Sequence, residues 1–245
     1  MASASDVTYP PLDTLKRVAE NVWVVDSGPM KAMGLSLPVR MSVVRLASGG
    51  MWLQSPTRFD EALREEIEAI GPIQHLVAPN IAHWSFLKDW QTHCAGATTW
   101  AAPKLRERAQ VKAKGVRLDR DITGEAPAEW AEEIEHAIVE GAMGFREVAF
   151  FHRPSRTLLL TDLIENLETA KLPLGTKLFA VLMGAHKGTS PLQIRLALRP
   201  RRAQAAEAVR RMIGWGPERV VFAHGRFFDR DGTRDLARAM AWLTG

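Results

Sequence analysis

The first half of the chain carries short apolar runs separated by turn residues, a pattern that predicts β-strands. Residues 59–70 differ, because their apolar positions recur at helical spacing, and Gly71-Pro72 ends the helix that this spacing predicts. Ser48-Gly49-Gly50 predicts a hairpin turn between two of the strands. The strands predicted in this half cover residues 22–25, 41–46, 51–53, 74–78 and 98–101.

The second half alternates predicted strands with predicted helices. Residues 163–200 are predicted as helical pieces, because proline and glycine interrupt their apolar runs, and this segment is a candidate lid. A strand meander followed by alternation with helices indicates an α/β protein whose sheets are covered by helices, in one domain over residues 1–245. The strands predicted here are 136–139, 147–151, 157–160 and 219–223, and the helices are 202–212 and 233–243.

Three predicted strands run directly into a potential metal ligand: His83, Asp162 and His224. A strand fixes the backbone where a loop opens to solvent, so we expect the three side chains to share one site. Two histidines and one carboxylate suit zinc with an open position or non-haem iron(II). Asn80 and His136 are candidates for a further ligand or for a supporting hydrogen bond.

Each of the three residues also has an ordinary structural interpretation. Asp162 can cap the element that follows it, and His224 can bind backbone from a loop. His83 can cap a turn or pack against Trp84. The sequence leaves these alternatives open.

Composition excludes several classes of function. Cys94 is the only cysteine, which rules out disulfides and cysteine-based zinc sites within the chain. The net charge of +4 comes largely from arginines clustered in residues 195–211, which we interpret as a solvated helix face and not a nucleic-acid surface. Residues 1–11 have no apolar core of a signal peptide, and no apolar run reaches 18 residues, so we expect a cytoplasmic protein without a membrane span.

The order of these elements resembles the metallo-β-lactamase-like hydrolase superfamily. Thr161-Asp162 matches the aspartate that ends a strand there, and residues 222–225 match the last histidine. The resemblance implies a four-layer αββα sandwich with a metal site along one edge of the two sheets. A closer resemblance is to the DUF4336 branch, whose reaction is unassigned. It rests on residues 43–46, 50–56, 78–80 with His83, 151–158 and 161–163.

The metal motifs of the superfamily are incomplete in this chain. Its first motif, H-x-H-x-D-H, can be aligned on His83 in two ways, and each leaves one usable ligand. The residues at the other positions are Pro79, Ile81 and Trp84 in one alignment and Ala78, Asn80 and Ala82 in the other. Trp84 stands where DUF4336 members carry the second histidine of a pair. The glycine-rich turn 140–144 has no histidine, although Glu140 offers an oxygen, and His152 lies in a matching segment. A two-zinc site is therefore not expected.

These observations favour a metal-dependent hydrolase with at most one zinc or iron ion, acting on a small molecule. One alternative is a binding or scaffold protein that has lost its metal, with tryptophans such as Trp84 and Trp90 lining an apolar pocket. A second alternative is an iron-dependent oxidoreductase. Loops 27–40 and 163–200 are expected to set specificity, and a homodimer is compatible with the sequence.

Overall fold

Two β-sheets stack face to face in a computed structural model that describes residues 7–32 and 34–245. Within these residues, one sheet has seven strands side by side in chain order, and the other has four in the order β11-β10-β9-β8. The strands of the first are β1 (Lys16–Ala19), β2 (Val22–Ala32), β3 (Leu35–Arg45), β4 (Met51–Gln54), β5 (Ile73–Ala78), β6 (Thr98–Ala101) and β7 (Arg120–Asp121). Those of the second are β8 (Ile134–Glu140), β9 (Arg146–His152), β10 (Thr157–Leu159) and β11 (Arg219–Val221).

Helices cover the outer faces of both sheets. Apolar residues of the first three helices pack on the seven-stranded sheet, and those of the last three pack on the four-stranded sheet. The first three are α1 (Glu61–Glu68), α2 (Leu87–His93) and α3 (Ala109–Ala113). They are followed by α4 (Leu174–Met183), α5 (Leu192–Leu198), α6 (Arg202–Gly214) and α7 (Gly232–Thr244). The helix α4 lies against β3, where the Thr176 hydroxyl accepts a hydrogen bond from Ser36 N at 3.1 Å. This arrangement is the predicted four-layer αββα sandwich.

The layer between the sheets is built around large aromatic side chains. Trp52 contacts Trp130 and Phe150 edge to face, with ring centroids 5.9 and 5.0 Å apart. Trp100 contacts Trp130 in the same way at 4.5 Å. Such contacts add to the free energy gained by burying each ring. These three tryptophans are therefore part of the core and do not line a pocket.

The hairpin of β2 and β3 is the main departure from the predicted elements. Each strand has eleven residues, so most of segment 27–40 is strand and not the expected loop. The polar pair Asp26 and Arg40, which interrupted the apolar pattern, lies cross-strand and buried as an ion pair at 2.7 Å. Because the two buried charges neutralise each other, β2 and β3 can remain paired beyond the apolar residues that predicted them. The short strand β1 was also not predicted.

None of the helices in the described residues is both long enough and apolar enough to cross a bilayer.

The buried His75 on β5 makes stability depend on pH. Burial lowers the pKa of His75 to about 4, and its Nδ1 accepts a hydrogen bond from Trp100 Nε1 at 3.2 Å, which a protonated ring cannot do. The folded-state pKa lies below the ordinary value of 6.5, so the unfolded chain takes up the proton first. The free energy of unfolding should fall as pH drops from about 6.5 to about 4.

Urea unfolding at steps across this pH range tests the assignment with His75→Gln, which keeps an acceptor for Trp100 but does not titrate. We expect a shallower decline than in the wild type. The decline that remains includes contributions from His136 and His152, because burial lowers the pKa of both, that of His152 to about 4. The exposed His93→Gln serves as the control. A decline in His75→Gln as steep as in the wild type would contradict this role.

Candidate metal centre

The strands place Asp162 and His224 side by side. β10 and β11 are parallel neighbours, with Leu159 paired to Val221. Asp162 and His224 each lie three residues beyond these paired ends. Equal offsets from paired positions of parallel strands bring both side chains to the same point at the sheet edge.

His83 reaches this point from the other sheet. It follows β5 through a turn in which Pro79 O accepts a hydrogen bond from Val148 N on β9 at 2.8 Å. Asn80 forms an isolated bridge to Glu147 on the same strand. In the turn, Asn80 Oδ1 accepts from Ala82 N at 2.7 Å and from His83 N at 2.8 Å, which fixes the backbone of the histidine. The two sheets therefore meet at the site.

Both imidazoles point their Nε2 atoms at one carboxylate oxygen. His83 Nε2 lies 3.0 Å and His224 Nε2 lies 3.1 Å from Asp162 Oδ1. One ligand atom from each residue lies within 4.8 Å of the others. The side chains of both histidines are buried, and that of Asp162 is 19% exposed. The structure thus brings together the three residues that the sequence singled out as metal ligands.

The remaining polar atom of each side chain is already hydrogen-bonded. His224 Nδ1 donates to Pro38 O at 2.8 Å, and His83 Nδ1 lies 2.6 Å from Ser55 Oγ. Asp162 Oδ2 accepts from Asn80 Nδ2 at 2.7 Å. Partners of this kind fix the orientation of metal ligands and the tautomer of a ligating histidine. Asn80 therefore supports Asp162 as a donor and is not itself directed to the centre.

The hydrogen bonds of His224 require a positive charge between its Nε2 atom and Asp162. Pro38 O can only accept, so Nδ1 carries a proton, and a neutral ring would turn a lone pair at Nε2 towards the Asp162 carboxylate. A positive charge must lie between them, either a second proton or a metal ion. Burial opposes the charged ring, but the hydrogen bond and charge of Asp162 override it and raise the pKa of His224 to about 9. A metal ion would take the place of this proton.

Asp162 is the negative centre of the site. Burial works against its ionised form, but the charges and hydrogen bonds of His83 and His224 hold the pKa of Asp162 well below its usual value. Glu165, three residues along, is also buried and lines the same cavity. Burial raises the pKa of Glu165 to about 7, with His224 lowering it and Asp162 raising it.

The loop that carries Asp162 is held by a carboxylate that the sequence did not single out. Glu147 on β9 is completely buried and accepts three successive backbone N–H groups. Thr161 N lies 2.7 Å from one oxygen, and Asp162 N and Leu163 N lie 2.7 and 2.9 Å from the other. Burial and the charge of Asp162 raise the pKa of Glu147 to about 7, against the opposing effect of these hydrogen bonds.

Two further supports escaped the sequence argument. Ser55 directly follows β4 with φ of 56°, a left-handed conformation that few serines adopt, and this turns its hydroxyl towards His83. Arg40 donates to Phe222 O and Gly225 O, each at 2.8 Å, on either side of His224. Ser55 lies in a segment that resembles DUF4336, which was a usable signal. For Arg40, no signal in the sequence indicated the partners.

Three secondary candidates lie away from the centre. His136 Nε2 donates to Thr123 O at 2.6 Å, and the His152 ring pairs with Ser155. His152 lies at the opposite end of β9 from Glu147. Glu140 pairs with Arg146 and Arg201 at the surface. None of the three belongs to the cluster of ligand atoms found among the residues described.

Trp84 belongs to the core. It is 8% exposed, packs in the apolar cluster beneath α1 and α2, and donates from Nε1 to Ile81 O at 3.0 Å. Trp90 is completely buried in the same cluster. Both are therefore packing residues, which removes the tryptophan-lined pocket that the binding-protein alternative invoked.

A cavity of about 190 Å³ opens beside the three ligands. Its walls come from the β2–β3 hairpin, from the turns carrying Ser55 and His83, and from the helical segment predicted as a lid. That segment contributes Glu165, Phe179 on α4 and Gln193 on α5. Segment 163–200 therefore lies on the same side as His224, where a lid must lie.

Solved structures define the class of fold. The DIM-1 metallo-β-lactamase matches with a TM-score of 0.63 at 14% identity, over 93% of this chain and 96% of that chain. The metallo-β-lactamase from Pontibacter korlensis matches with a TM-score of 0.58 at 14% identity, over 94% and 98%. That from Hirschia baltica gives 0.60 at 14% identity, over 94% and 96%. At this identity the similarity establishes a metallo-β-lactamase-like fold and nothing about activity.

Within this fold class the family is also established. The model of a domain of unknown function, DUF4336, matches residues 19–221, and the chain belongs to that family. No curated protein matches the chain.

Replacing Glu147 by glutamine tests its role as an anchor. An amide has one acceptor oxygen, so at least one of the three N–H groups loses its partner in a fully buried place. We expect the free energy of unfolding to fall by about 1–3 kcal/mol, measured in urea. Glu140→Gln, which alters only surface ion pairs, should cost about 1 kcal/mol or less. Equal losses in the two variants would contradict the anchor.

Replacing Trp84 by histidine tests whether that position faces the centre. Because Trp84 fills the core, the substitution should lower the free energy of unfolding by about 3 kcal/mol and leave zinc affinity no higher than in the wild type. Urea unfolding and zinc titration measure the two effects. Tighter zinc binding by the variant would show instead that the position faces the ligands.

Proposed function

We propose that the protein is a hydrolase that works with a single divalent metal ion held by His83, Asp162 and His224. The observation that carries the proposal is the convergence of two imidazole nitrogens on one carboxylate oxygen, at 3.0 and 3.1 Å. Three protein ligands that leave a position open are typical of catalytic zinc sites, whereas structural zinc sites have four. The metallo-β-lactamase-like fold supports the proposal by analogy only.

The dimensions of the cluster suit a metal ion. Two ligands bound to one zinc ion at their usual distances, in a tetrahedral arrangement, lie about 3.3 Å apart. The two nitrogen–oxygen separations are 3.0 and 3.1 Å, so a small outward shift of the side chains would admit the ion. No second group of three such ligands occurs among residues 7–32 and 34–245. This favours one ion, as the incomplete motifs of the sequence also do.

The protein's own residues have defined parts in this function. Asp162 supplies the negative charge that retains a divalent cation, and Asn80 holds its other oxygen. Pro38 O keeps the Nδ1 proton of His224 in place, which leaves Nε2 free as a ligand. A bound ion would act as a Lewis acid and lower the pKa of a coordinated water. The largely apolar cavity beside it would exclude bulk water from the substrate.

Metal analysis of protein purified without a polyhistidine tag tests the proposal. We expect about one zinc ion per chain in the wild type. His224→Ala and Asp162→Ala should lose the ion, because each removes a ligand. Asn80→Ala should weaken binding by about 10–100-fold, because it removes no ligand but does remove the hydrogen bonds that support Asp162 and the turn of His83. His93→Ala, at an exposed histidine, is the matched control. Circular dichroism checks that each variant is folded.

The outcomes separate the competing functions. Zinc together with hydrolysis of a neutral ester, lost on chelation and restored by zinc, supports the hydrolase. Iron in place of zinc would favour an oxidoreductase. A wild type that folds cooperatively but holds no metal would favour a binding protein. Unchanged metal content in both ligand variants would contradict the assigned ligands.

A further inference from the structure

The cavity beside the three ligands has a wall suited to an apolar ligand. The β2–β3 hairpin contributes the wall on one side, and Phe179 of α4 lies among the residues opposite. The hairpin residues that face the cavity are Met30, Leu35, Leu37 and Val39. A cavity of about 150 Å³ with such a lining is enough to hold benzene, which has six carbon atoms. By the same ratio, a cavity of about 190 Å³ encloses about seven or eight non-hydrogen atoms, and a slightly longer ligand would extend through its opening.

Three polar groups in the lining of this cavity have no hydrogen-bond partner among the described residues. Glu165 is 8% exposed, and no described residue donates a hydrogen bond to its carboxyl group. The amide oxygen of Gln193 and the hydroxyl of Thr57 are buried and likewise lack a partner among the residues described. A buried polar atom without a partner costs about 1–3 kcal/mol. A ligand that supplies a hydrogen-bond donor would recover this free energy.

The charge of the lining favours one kind of ligand head group. No lysine or arginine is found among the described residues that line the cavity. The carboxylate of Asp162 is in direct contact with two imidazoles, His83 Nε2 at 3.0 Å and His224 Nε2 at 3.1 Å. Glu165 forms no ion pair with any described residue, so its carboxylate, when ionised, would attract a cation and repel an anion.

We propose that this cavity selects an apolar substrate whose polar end is a hydrogen-bond donor, a primary ammonium or hydroxyl group bound by Glu165, and that it discriminates against anionic ends. As a statement of substrate class, this rests on the hydrolase proposed above. The test uses metal-free protein, so it can fail or succeed whether or not a metal is found. Glu165 acts here as a specificity residue, and Gln193 and Thr57 contribute further polar groups to the lining of the same cavity.

Calorimetric titration of chelator-treated protein with three matched eight-carbon ligands tests the proposal. Octylamine, octanol and octanoate share the chain and differ only in the head group. We expect octylamine and octanol each to bind at least tenfold more tightly than octanoate, and octanol to displace octylamine, since both occupy one cavity.

Glu165→Gln assigns the discrimination to one side chain. The amide keeps the shape but removes the negative charge, so the ratio of octylamine to octanoate affinity should fall at least tenfold while octanol binding changes by less than about threefold. Glu207→Gln, at an exposed position on α6, is the control and should leave all three affinities unchanged. The melting temperature of Glu165→Gln should not fall, because the carboxyl group has no hydrogen-bond partner to lose among residues 7–32 and 34–245.

Three results would overturn the proposal. The first is that none of the three ligands binds. The second is that the wild type binds octylamine or octanol less than tenfold more tightly than octanoate. The third is that Glu165→Gln leaves the ratio of octylamine to octanoate affinity unchanged. Zinc content of Glu165→Gln, measured before the chelator is added, separates this failure from that of the hydrolase. A normal zinc content with unselective binding would refute the substrate class and leave the metal site standing.

Discussion

The buried carboxylate of Glu147 is the interaction on which the geometry of the site depends. It binds the backbone from Thr161 to Leu163 and so fixes where the chain leaves β10. On the same strand, the next residue, Val148, donates to Pro79 O and holds the turn that leads to His83. One short stretch of β9 therefore positions ligands that come from two different sheets. The cost of burying an anion is offset because three N–H groups surround it.

The β2–β3 hairpin gives the site its second support and its cavity wall. The carbonyl oxygen of Pro38 in this hairpin accepts a hydrogen bond from His224 Nδ1. Arg40 donates hydrogen bonds to carbonyl groups on either side of that histidine. The cross-strand partner Asp26 neutralises Arg40. A single element thus fixes the tautomer of a candidate ligand and supplies the apolar surface beside it. The orientation of His224 and the shape of the cavity beside it are for this reason set by the same element.

The sequence predicted the layers and the three central residues better than their surroundings. Apolar periodicity determines which face of a strand or helix is buried, so the pattern predicted sheets covered by helices. The αββα order was predicted from the resemblance to the metallo-β-lactamase-like superfamily. His83, Asp162 and His224 could be found because each follows a strand directly. Glu147 and Arg40 could not, since their partners are backbone atoms distant in sequence. A charged residue within a strand has no sequence mark that distinguishes a buried anchor from an exposed position.

The hydrogen bonds on the far sides of His83, Asp162 and His224 explain how the fold can form with or without a metal ion. In the metal-free protein the proton on His224 supplies the positive charge between the imidazole and Asp162, so no anion is left unpaired. Many small metal sites are unfolded without their ion because the ligands have no other partners. Here each ligand has a partner on its far side, so the ion would exchange with a proton in a site that is already formed. A bound ion would therefore not be required for folding, and its occupancy would depend on how strongly the site prefers the ion to the proton.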